Sequence, residues 1–207
     1  MDWVQGRTPR LREEAERSPA PAELPDVYAY LLGLYLGDGC VSKHHRGVFK
    51  LRIALDAKYP EIVAECARAM TAVMPGNSVG TRLSETNYVE VYGYSKRWPA
   101  YFPQHGTGMK HLRPIVLQPW QLEVVARTPQ LLLRGLIHSD GCRFINTGRG
   151  NWTNPRYSFS NRSDDIRRIF CDACDLVGAR WTTAPYTVYV SRKADVAELD
   201  RFIGPKT

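Results

Sequence analysis

The spacing of apolar positions changes along this 207-residue chain and predicts alternating helices and strands. Residues 27–36 are almost all apolar, and they predict a buried helix that is capped by Asp26 and stopped by Gly39. Residues 49–55 instead alternate, with Lys50 and Arg52 between apolar residues, as in a strand with one buried face. From Pro60 the apolar residues return to helical spacing and predict a second helix.

The same order of elements occurs twice. A hairpin predicted over 79–83 and 88–94 and a helix or turn over 96–102 complete a first αββαββα half. The second copy has a helix over 129–140, strands over 143–146 and 156–161, a helix capped by Ser163, a hairpin over 180–183 and 187–191, and a helix over 195–203. A repeat near 100 residues indicates a duplicated domain and not a solenoid.

These elements predict an α+β protein with two pseudo-symmetric halves and antiparallel sheets. The expected division is a tail or arm over 1–25, a first half over 26–104, a linker over 105–119 and a second half over 120–207. The start of the chain has no apolar signal core, and no apolar run approaches the roughly 20 residues of a membrane helix. We therefore expect a cytoplasmic protein, associated with the nucleoid if the source is prokaryotic.

The charge of the chain indicates a polyanionic partner. The chain carries a net charge of +7, but residues 1–26 hold four arginines and six acids, so residues 27–207 carry +9. A basic folded body favours nucleic acid as its partner. The five cysteines do not suggest a disulfide framework, and the C-x-x-C at residues 171–174 lacks the second pair of a zinc site, so we expect buried thiols there.

Residues 31–40 (LLGLYLGDGC) recur as residues 133–142 (LRGLIHSDGC), 102 positions later. Small residues four apart in each copy would lie on one helix face and let two helix backbones approach closely. Packing does not explain Asp38 and Asp140, because a carboxylate opposes the dipole at a helix C-terminus and two nearby carboxylates repel. A divalent ion such as Mg²⁺ or Mn²⁺ would remove both penalties.

This repeated motif resembles the paired motif of LAGLIDADG homing endonucleases in their single-chain form, over residues 26–203. The resemblance implies a DNA-binding saddle made of the two sheets, with the motif helices packed at the centre, and a monomer with internal pseudo-two-fold symmetry. It also implies metal-binding roles for Asp38 and Asp140. Leu36 and His138 depart from the pattern, since they stand where the family often has another acid.

The family also places a polar residue at the end of the second strand of each half and a basic residue after the fourth. Asp56 and Asn161 fit the first role. Lys96 and Arg192 fit the second, unless a shift of one residue brings in Arg97 and Lys193. On the polar strand faces, the candidates for reading DNA are Lys43, Lys50, Arg52, Arg82 and Glu90 in the first half and Arg143, Asn146, Arg156, Ser158 and Arg180 in the second.

The resemblance thus implies a homing endonuclease that hydrolyses phosphodiester bonds of double-stranded DNA with Mg²⁺ or Mn²⁺. It would leave a staggered break at a long, roughly palindromic target. Three alternatives stay open: a non-cleaving DNA-binding regulator, an RNA-splicing maturase on the same fold, and a generic α+β metalloprotein.

Overall fold

The computed structural model describes Pro21, residues 24–148 and residues 153–206. The elements of the first half are α1 Val27–Asp38, β1 Gly39–Lys43, β2 Phe49–Asp56, α2 Pro60–Val73, β3 Val79–Leu83, β4 Tyr88–Ser95 and α3 Trp98–Tyr101. Those of the second half are α4 Pro119–Arg127, α5 Pro129–Asp140, β5 Gly141–Thr147, β6 Thr153–Ser160, α6 Asp164–Leu176, β7 Thr182–Ala184, β8 Thr187–Val190 and α7 Lys193–Asp200. Apart from Pro21, Leu24 and Pro25, the predicted arm over 1–25 lies outside the described residues.

Each half contains one four-stranded antiparallel sheet, and the two sheets have the same topology. The strand orders are β1-β2-β4-β3 and β5-β6-β8-β7. The central pair of the first sheet, β2 and β4, runs from Phe49 opposite Ser95 to Asp56 opposite Tyr88. The predicted fold class, two pseudo-symmetric halves with antiparallel sheets, is confirmed.

Helices cover one face of each sheet and leave the other face open. In β2, Leu51, Ile53 and Leu55 are buried against the helices, whereas Arg52 on the opposite face is exposed. Helix α1 is buried on all sides from Tyr28 to Leu36 because it is packed both on its own half and on α5. Its sequence is therefore apolar around its whole circumference and not amphipathic.

Two predicted helix caps have different outcomes. Ser163 accepts a hydrogen bond from the backbone amide of Ile166 and caps α6, as the sequence predicts. Asp26 makes no side-chain cap on α1, so that prediction is wrong. Its carboxylate instead pairs with Arg127 at the end of α4, 2.9 Å away.

Two further expectations concern thiols and membrane helices. Cys171 and Cys174 are both buried and unbridged in α6, as predicted. Over the part of the chain that the structure describes, no helix has the length and apolar character needed to cross a membrane.

Candidate active site

Helices α1 and α5 touch backbone to backbone at two glycines. A Cβ atom on Gly33 would lie 2.6 Å from the carbonyl oxygen of Leu132 and 2.7 Å from the amide nitrogen of Leu136. Gly135 is packed equally tightly, against the carbonyl oxygen of Tyr30. Because rigid backbone atoms cannot move aside, both positions require glycine. The predicted close packing of the motif helices is confirmed.

This contact brings Asp38 and Asp140 to the centre of the molecule. Each is the last residue of its helix, and the next residue, Gly39 or Gly141, already begins a strand. One turn beyond the glycine contact, a Cβ atom on Gly37 would lie only 3.1 Å from a carboxylate oxygen of Asp140. The Asp140 carboxylate therefore reaches the end of α1, beside Asp38.

Burial makes both aspartates hard to ionise. It raises the pKa of Asp38 to about 7, with a further rise from the charge of Asp140. Burial likewise raises the pKa of Asp140, although a hydrogen bond from Asn161 opposes the rise. A cation placed between or beside the carboxylates would relieve both penalties.

The oxygen donors suit Mg²⁺ or Mn²⁺, which prefer carboxylates. Among the described residues, no group of three His, Cys, Asp or Glu side chains forms a closed metal cage. That is the usual situation for Mg²⁺, which proteins hold by one or two carboxylates together with water and substrate phosphates. The donor set therefore fits a metal whose coordination is completed by a phosphodiester substrate.

A cavity of about 580 Å³ opens beside Asp38, and we call it the Asp38 cavity. Asp56, at the end of β2, lines it together with Lys58 and Lys206. The Asp56 carboxylate pairs with the Lys58 ammonium group at 2.8 Å, and this contact lowers the pKa of Asp56. The structure thus places Asp56 in the same cavity as Asp38, with its charge already balanced.

A second cavity of about 640 Å³ opens beside Asp140, and we call it the Asp140 cavity. Asn161, just after β6, donates a hydrogen bond from its side-chain amide to a carboxylate oxygen of Asp140 at 2.6 Å. The carbonyl oxygen of the same Asn161 side chain accepts from the backbone amide of Ser163, which fixes its orientation. Arg162 also lines this cavity and adds positive charge.

Lys110 also lines the Asp140 cavity, and the sequence interpretation missed it. Its ammonium group donates hydrogen bonds to three backbone carbonyl oxygens at the end of α1, those of Tyr35, Leu36 and Gly37, at 2.5, 2.8 and 2.8 Å. Burial lowers the pKa of Lys110 to about 8, although both aspartates oppose this change. Lys110 therefore caps the first motif helix and stands within the field of both carboxylates.

Lys206 holds the corresponding place in the Asp38 cavity and was also missed. Its ammonium group contacts the carbonyl oxygen of Ser139 at the end of α5, at 3.4 Å. Burial lowers its pKa as well. One signal in the sequence points to both lysines, since each follows its own half, 72 residues after Asp38 and 66 residues after Asp140.

The two lysines cross between the halves. Lys110 follows the first half but lines the cavity of Asp140, and Lys206 follows the second half but lines the cavity of Asp38. Each cavity therefore takes its aspartate and its neighbouring polar residue from one half, and a further lysine, Lys206 or Lys110, from the segment that follows the other half.

Lys96 and Arg192 do not lie at this centre, which corrects the sequence interpretation. In the first sheet Asp56 is opposite Tyr88, the first residue of β4, whereas Lys96 follows the last residue of that strand. The length of β4 separates them by more than roughly 20 Å. In the second half, β8 likewise starts beside Asn161 and runs away from it before Arg192. Their neighbours Arg97 and Lys193 share this position.

On the open face of the first sheet, three of the predicted DNA-reading residues form one ionic cluster. The carboxylate of Glu90 is buried between Lys50 and Arg82 and binds both of them. The Lys50 ammonium group also lies 4.5 Å from the ring centroid of Tyr92. Arg52, on the same face, is exposed. Glu90 therefore faces its two cations and does not present a free carboxylate.

The open face of the second sheet carries Asn146, Arg156 and Ser158. The Arg156 guanidinium lies 5.8 Å from the ring centroid of Tyr189, and its buried Nε atom has no hydrogen-bond partner among the described residues. Arg180 is exposed just before β7. These side chains leave donors available to an added ligand.

Two other predicted DNA-reading residues lie on the wrong face. Alternation along β1 puts Lys43 on the same side as the buried Val41, at the far end of the sheet from Asp38. Arg143 is opposite the buried Tyr157 and pairs through two nitrogens with Asp200 of α7, at 2.7 and 2.9 Å. Each residue therefore lies on the helix-covered side of its strand, since Lys43 is two residues from the buried Val41 and Arg143 is paired with the buried Tyr157.

Comparisons with known proteins identify the fold. No protein-family model and no curated protein matches the sequence. Mesophilic variants of the homing endonuclease I-DmoI align with a TM-score of 0.57 at 14% identity, covering 86% of this chain and 95% of theirs. The LAGLIDADG meganuclease I-AabMI, bound to uncleaved DNA, aligns with a TM-score of 0.52 at 12% identity, covering 84% of this chain and 82% of its own.

The homing endonuclease I-WcaI, bound to its DNA recognition sequence, aligns with a TM-score of 0.51 at 12% identity. This alignment covers 90% of the present chain and 84% of I-WcaI. All three alignments span both halves and therefore include the pair of motif helices at the centre. With two motif helices packed through glycines and two matching sheets, this chain has the fold of the LAGLIDADG homing endonucleases.

Proposed function

We propose that this protein is a site-specific DNA endonuclease that uses Mg²⁺ or Mn²⁺ to make a staggered double-strand break. The observation that carries the proposal is the pair of cavities at the ends of α1 and α5, each with a half-buried aspartate, a second polar residue and a lysine. Two corresponding sites side by side match the two phosphodiester bonds, one in each strand of a duplex, that a double-strand break requires. The similar proteins support it, since I-DmoI is described in complex with DNA and Mn.

Asp38 and Asp140 would hold the metal ions, with Asp56 and Asn161 beside them. A bound divalent ion polarises the scissile phosphate and lowers the pKa of an attacking water. The amide of Asn161 keeps the Asp140 carboxylate in one orientation, and Lys58 does the same for Asp56. These contacts hold the oxygens in place before the substrate arrives.

Lys110 and Lys206 would stabilise the negative charge that develops on the phosphate during hydrolysis. Both ammonium groups are partly buried, so their interaction with an anion is screened less than at the surface. In this reaction water adds to phosphorus, the bond from phosphorus to the leaving sugar oxygen breaks, and that oxygen takes up a proton.

The open sheet faces would recognise the DNA. A two-stranded ribbon fits the major groove, where base edges differ for every base pair. Lys50, Arg52 and Arg82 in one half and Arg156, Ser158 and Asn146 in the other are the proposed contacts, with Arg180 nearby. Because these sets differ, the two half-sites should differ, which gives a long and only roughly palindromic target.

The test is cleavage of a randomised duplex DNA library with Mg²⁺, followed by sequencing of the ends. Wild-type protein should produce staggered breaks at a defined site, whereas Asp38→Asn and Asp140→Asn should bind that site and fail to break it. Asp26→Asn, which alters only an exposed ion pair with Arg127, serves as the matched control. Tight binding without any nick in Mg²⁺ or Mn²⁺ would overturn the nuclease proposal in favour of a DNA-binding regulator.

A further inference from the structure

The two catalytic lysines proposed above are held in place very differently. Lys110 makes three short hydrogen bonds to the end of α1, which fix its ammonium group directly. Lys206 makes one long hydrogen bond, 3.4 Å from the Ser139 carbonyl oxygen, and its ammonium group lies 5.7 Å from the ring centroid of Tyr59. Both contacts are weak beside the three of Lys110. Its position must therefore depend on the backbone that carries it.

That backbone is bound by Arg134 of α5. The Arg134 guanidinium donates to the carbonyl oxygen of Phe202 at 2.8 Å and also to that of Ile203. On its other side it forms a bidentate pair with Glu65 of α2, with distances of 2.8 and 2.9 Å. Arg134 thus ties the chain after α7 to a helix of the opposite half.

His138, one turn further along α5, adds a second tie. Its ring nitrogens contact the carbonyl oxygen of Ile203 at 3.2 Å and the hydroxyl of Tyr30 at 3.0 Å. The Ile203 side chain is itself fully buried. His138, which stands where the resemblance predicts an acid, therefore binds the C-terminal segment of the chain.

The geometry of α5 explains why a tie at residue 203 determines the place of residue 206. Arg134 and Ser139 are five residues apart, or about 7.5 Å along the helix axis. Three residues of extended chain beyond Ile203 span at most about 10 Å. Once Ile203 is fixed beside Arg134 and His138, Lys206 is therefore kept within reach of the end of α5, where it lines the Asp38 cavity.

The first half holds the corresponding segment in another way, because the hydroxyl of Tyr28 in α1 donates a hydrogen bond to the carbonyl oxygen of Tyr101 at 2.6 Å. With the 102-residue offset of the motifs, Leu32 and Leu36 stand where the second half has Arg134 and His138, and both are fully buried. The polar pair is thus a feature of the second half alone. It occurs in the half whose lysine lacks strong contacts of its own.

We propose that Glu65, Arg134 and His138 form a clamp that positions Lys206 and thereby sets the rate at which one DNA strand is cut. The clamp touches neither substrate nor metal, so its members are positioning residues. The effect on cutting rests on the nuclease function proposed above. The effect on the C-terminal segment does not depend on that function.

The first measurement is hydrogen exchange of the segment 201–207 in the protein without DNA, followed by mass spectrometry. Arg134→Met should raise its exchange rate about tenfold or more, while the peptides of α1 and the first sheet keep their protection. Arg127→Met, which also removes an ion-paired arginine, is the control and should leave the segment unchanged. Unchanged exchange in Arg134→Met would overturn the clamp, because burial of Ile203 alone would then suffice.

The second measurement is the cleavage rate of each strand of the selected target. Arg134→Met and Lys206→Met should slow the cleavage of the same strand by about tenfold or more. The double variant Arg134→Met/Lys206→Met should cut that strand no more slowly than Lys206→Met does. Equal slowing of both strands by Arg134→Met would overturn the positioning role. The paired variant Glu65→Gln/Arg134→Gln, which leaves no buried charge unpaired, gives the same test if Arg134→Met folds poorly. If wild-type protein cuts no DNA, the nuclease proposal fails. The hydrogen-exchange measurement would still show whether the clamp fixes the C-terminal segment.

Discussion

Asn161 donates a 2.6 Å hydrogen bond to Asp140, whereas the polar residue beside Asp38 is a second carboxylate, that of Asp56. The two halves therefore surround equivalent aspartates with unlike chemistry. The amide stabilises the ionised form of Asp140. Asp38 receives no such bond from the residues that the structure describes, and burial raises its pKa to about 7.

In metal-free protein the contribution of Asp38 to stability should fall as the pH rises from about 4 to above 7. Buried His138, whose pKa is lowered to about 4, contributes the opposite trend below about pH 6.5, so the effect of Asp38 is the difference between wild type and Asp38→Asn. The folded-state pKa of Asp38 lies above the ordinary value of 3.8, so the folded state binds more protons than the unfolded state in this range. The loss should be on the order of 2 kcal/mol, and Mg²⁺ should reverse it above pH 7. Urea unfolding in EDTA at several pH values measures this change in the free energy of unfolding. The stability of wild type minus that of Asp38→Asn should fall over this pH range, and a difference that does not change with pH would contradict the assignment to Asp38.

Gly33→Ala should destabilise the protein by roughly 3 kcal/mol or more, because its Cβ atom would lie 2.6 Å from a backbone oxygen of α5. Gly93→Ala is the matched control, since its nearest contact at 3.5 Å is an ordinary one and its cost should be below about 1 kcal/mol. Chemical denaturation of both variants measures the two losses in the free energy of unfolding. Equal costs would mean that the helix contact is looser than described.

Glu90→Gln should strengthen non-specific DNA binding and weaken discrimination between sites. The change releases Lys50 and Arg82 from their shared carboxylate, so both can contact phosphates. The slope of log affinity against log salt should steepen by about one to two. Glu198→Gln removes one charge from an exposed pair on α7 and should leave the slope nearly unchanged. A slope in Glu90→Gln equal to that of wild type would show that the cluster does not face DNA.

Lys110→Met should slow the cleavage of one DNA strand by about a hundredfold. This strand should be the one opposite to the strand whose cleavage Lys206→Met slows. The reason is that Lys110 lines the Asp140 cavity and Lys206 the Asp38 cavity. Nicked intermediates resolved by strand-specific labels give the two rates.

Lys96→Met is the control for that experiment, and it should leave both cleavage rates within about twofold of wild type because Lys96 follows the far end of β4. A strong defect in Lys96→Met would restore the role that the sequence interpretation assigned to it.

The centre of the fold was predictable because its physical constraints are local. Gly33 and Gly135 recur with a fixed spacing to Asp38 and Asp140, and helical periodicity places them on one face. The alternation in β2 predicted its buried face correctly for the same reason. Pairing in an antiparallel sheet is also implicit in the order of the strands, and applying it would have excluded Lys96, since Asp56 must be opposite the start of β4.

Lys110 and Lys206 were not predictable from periodicity. Lys110 begins a single 3-10 turn, Lys110–Leu112, and Lys206 lies in an irregular segment after α7, so neither belongs to a run long enough for helical or strand spacing to predict the direction of its side chain. Lys110 also stands next to His111 and close to Arg113, so composition alone does not distinguish it. Their role depends on contacts with the ends of α1 and α5, which are formed only when the chain folds.

The crossing of the lysines limits how this protein can be recombined. A half joined to a foreign half would keep its own aspartate, but the lysine equivalent to Lys110 or Lys206 in its cavity would come from the foreign half. Its own lysine would line the cavity of the foreign aspartate. Chimeras that read new DNA sequences would therefore need compatible connector and C-terminal segments as well as compatible helices. Two halves expressed as separate chains would each be chemically incomplete until they met.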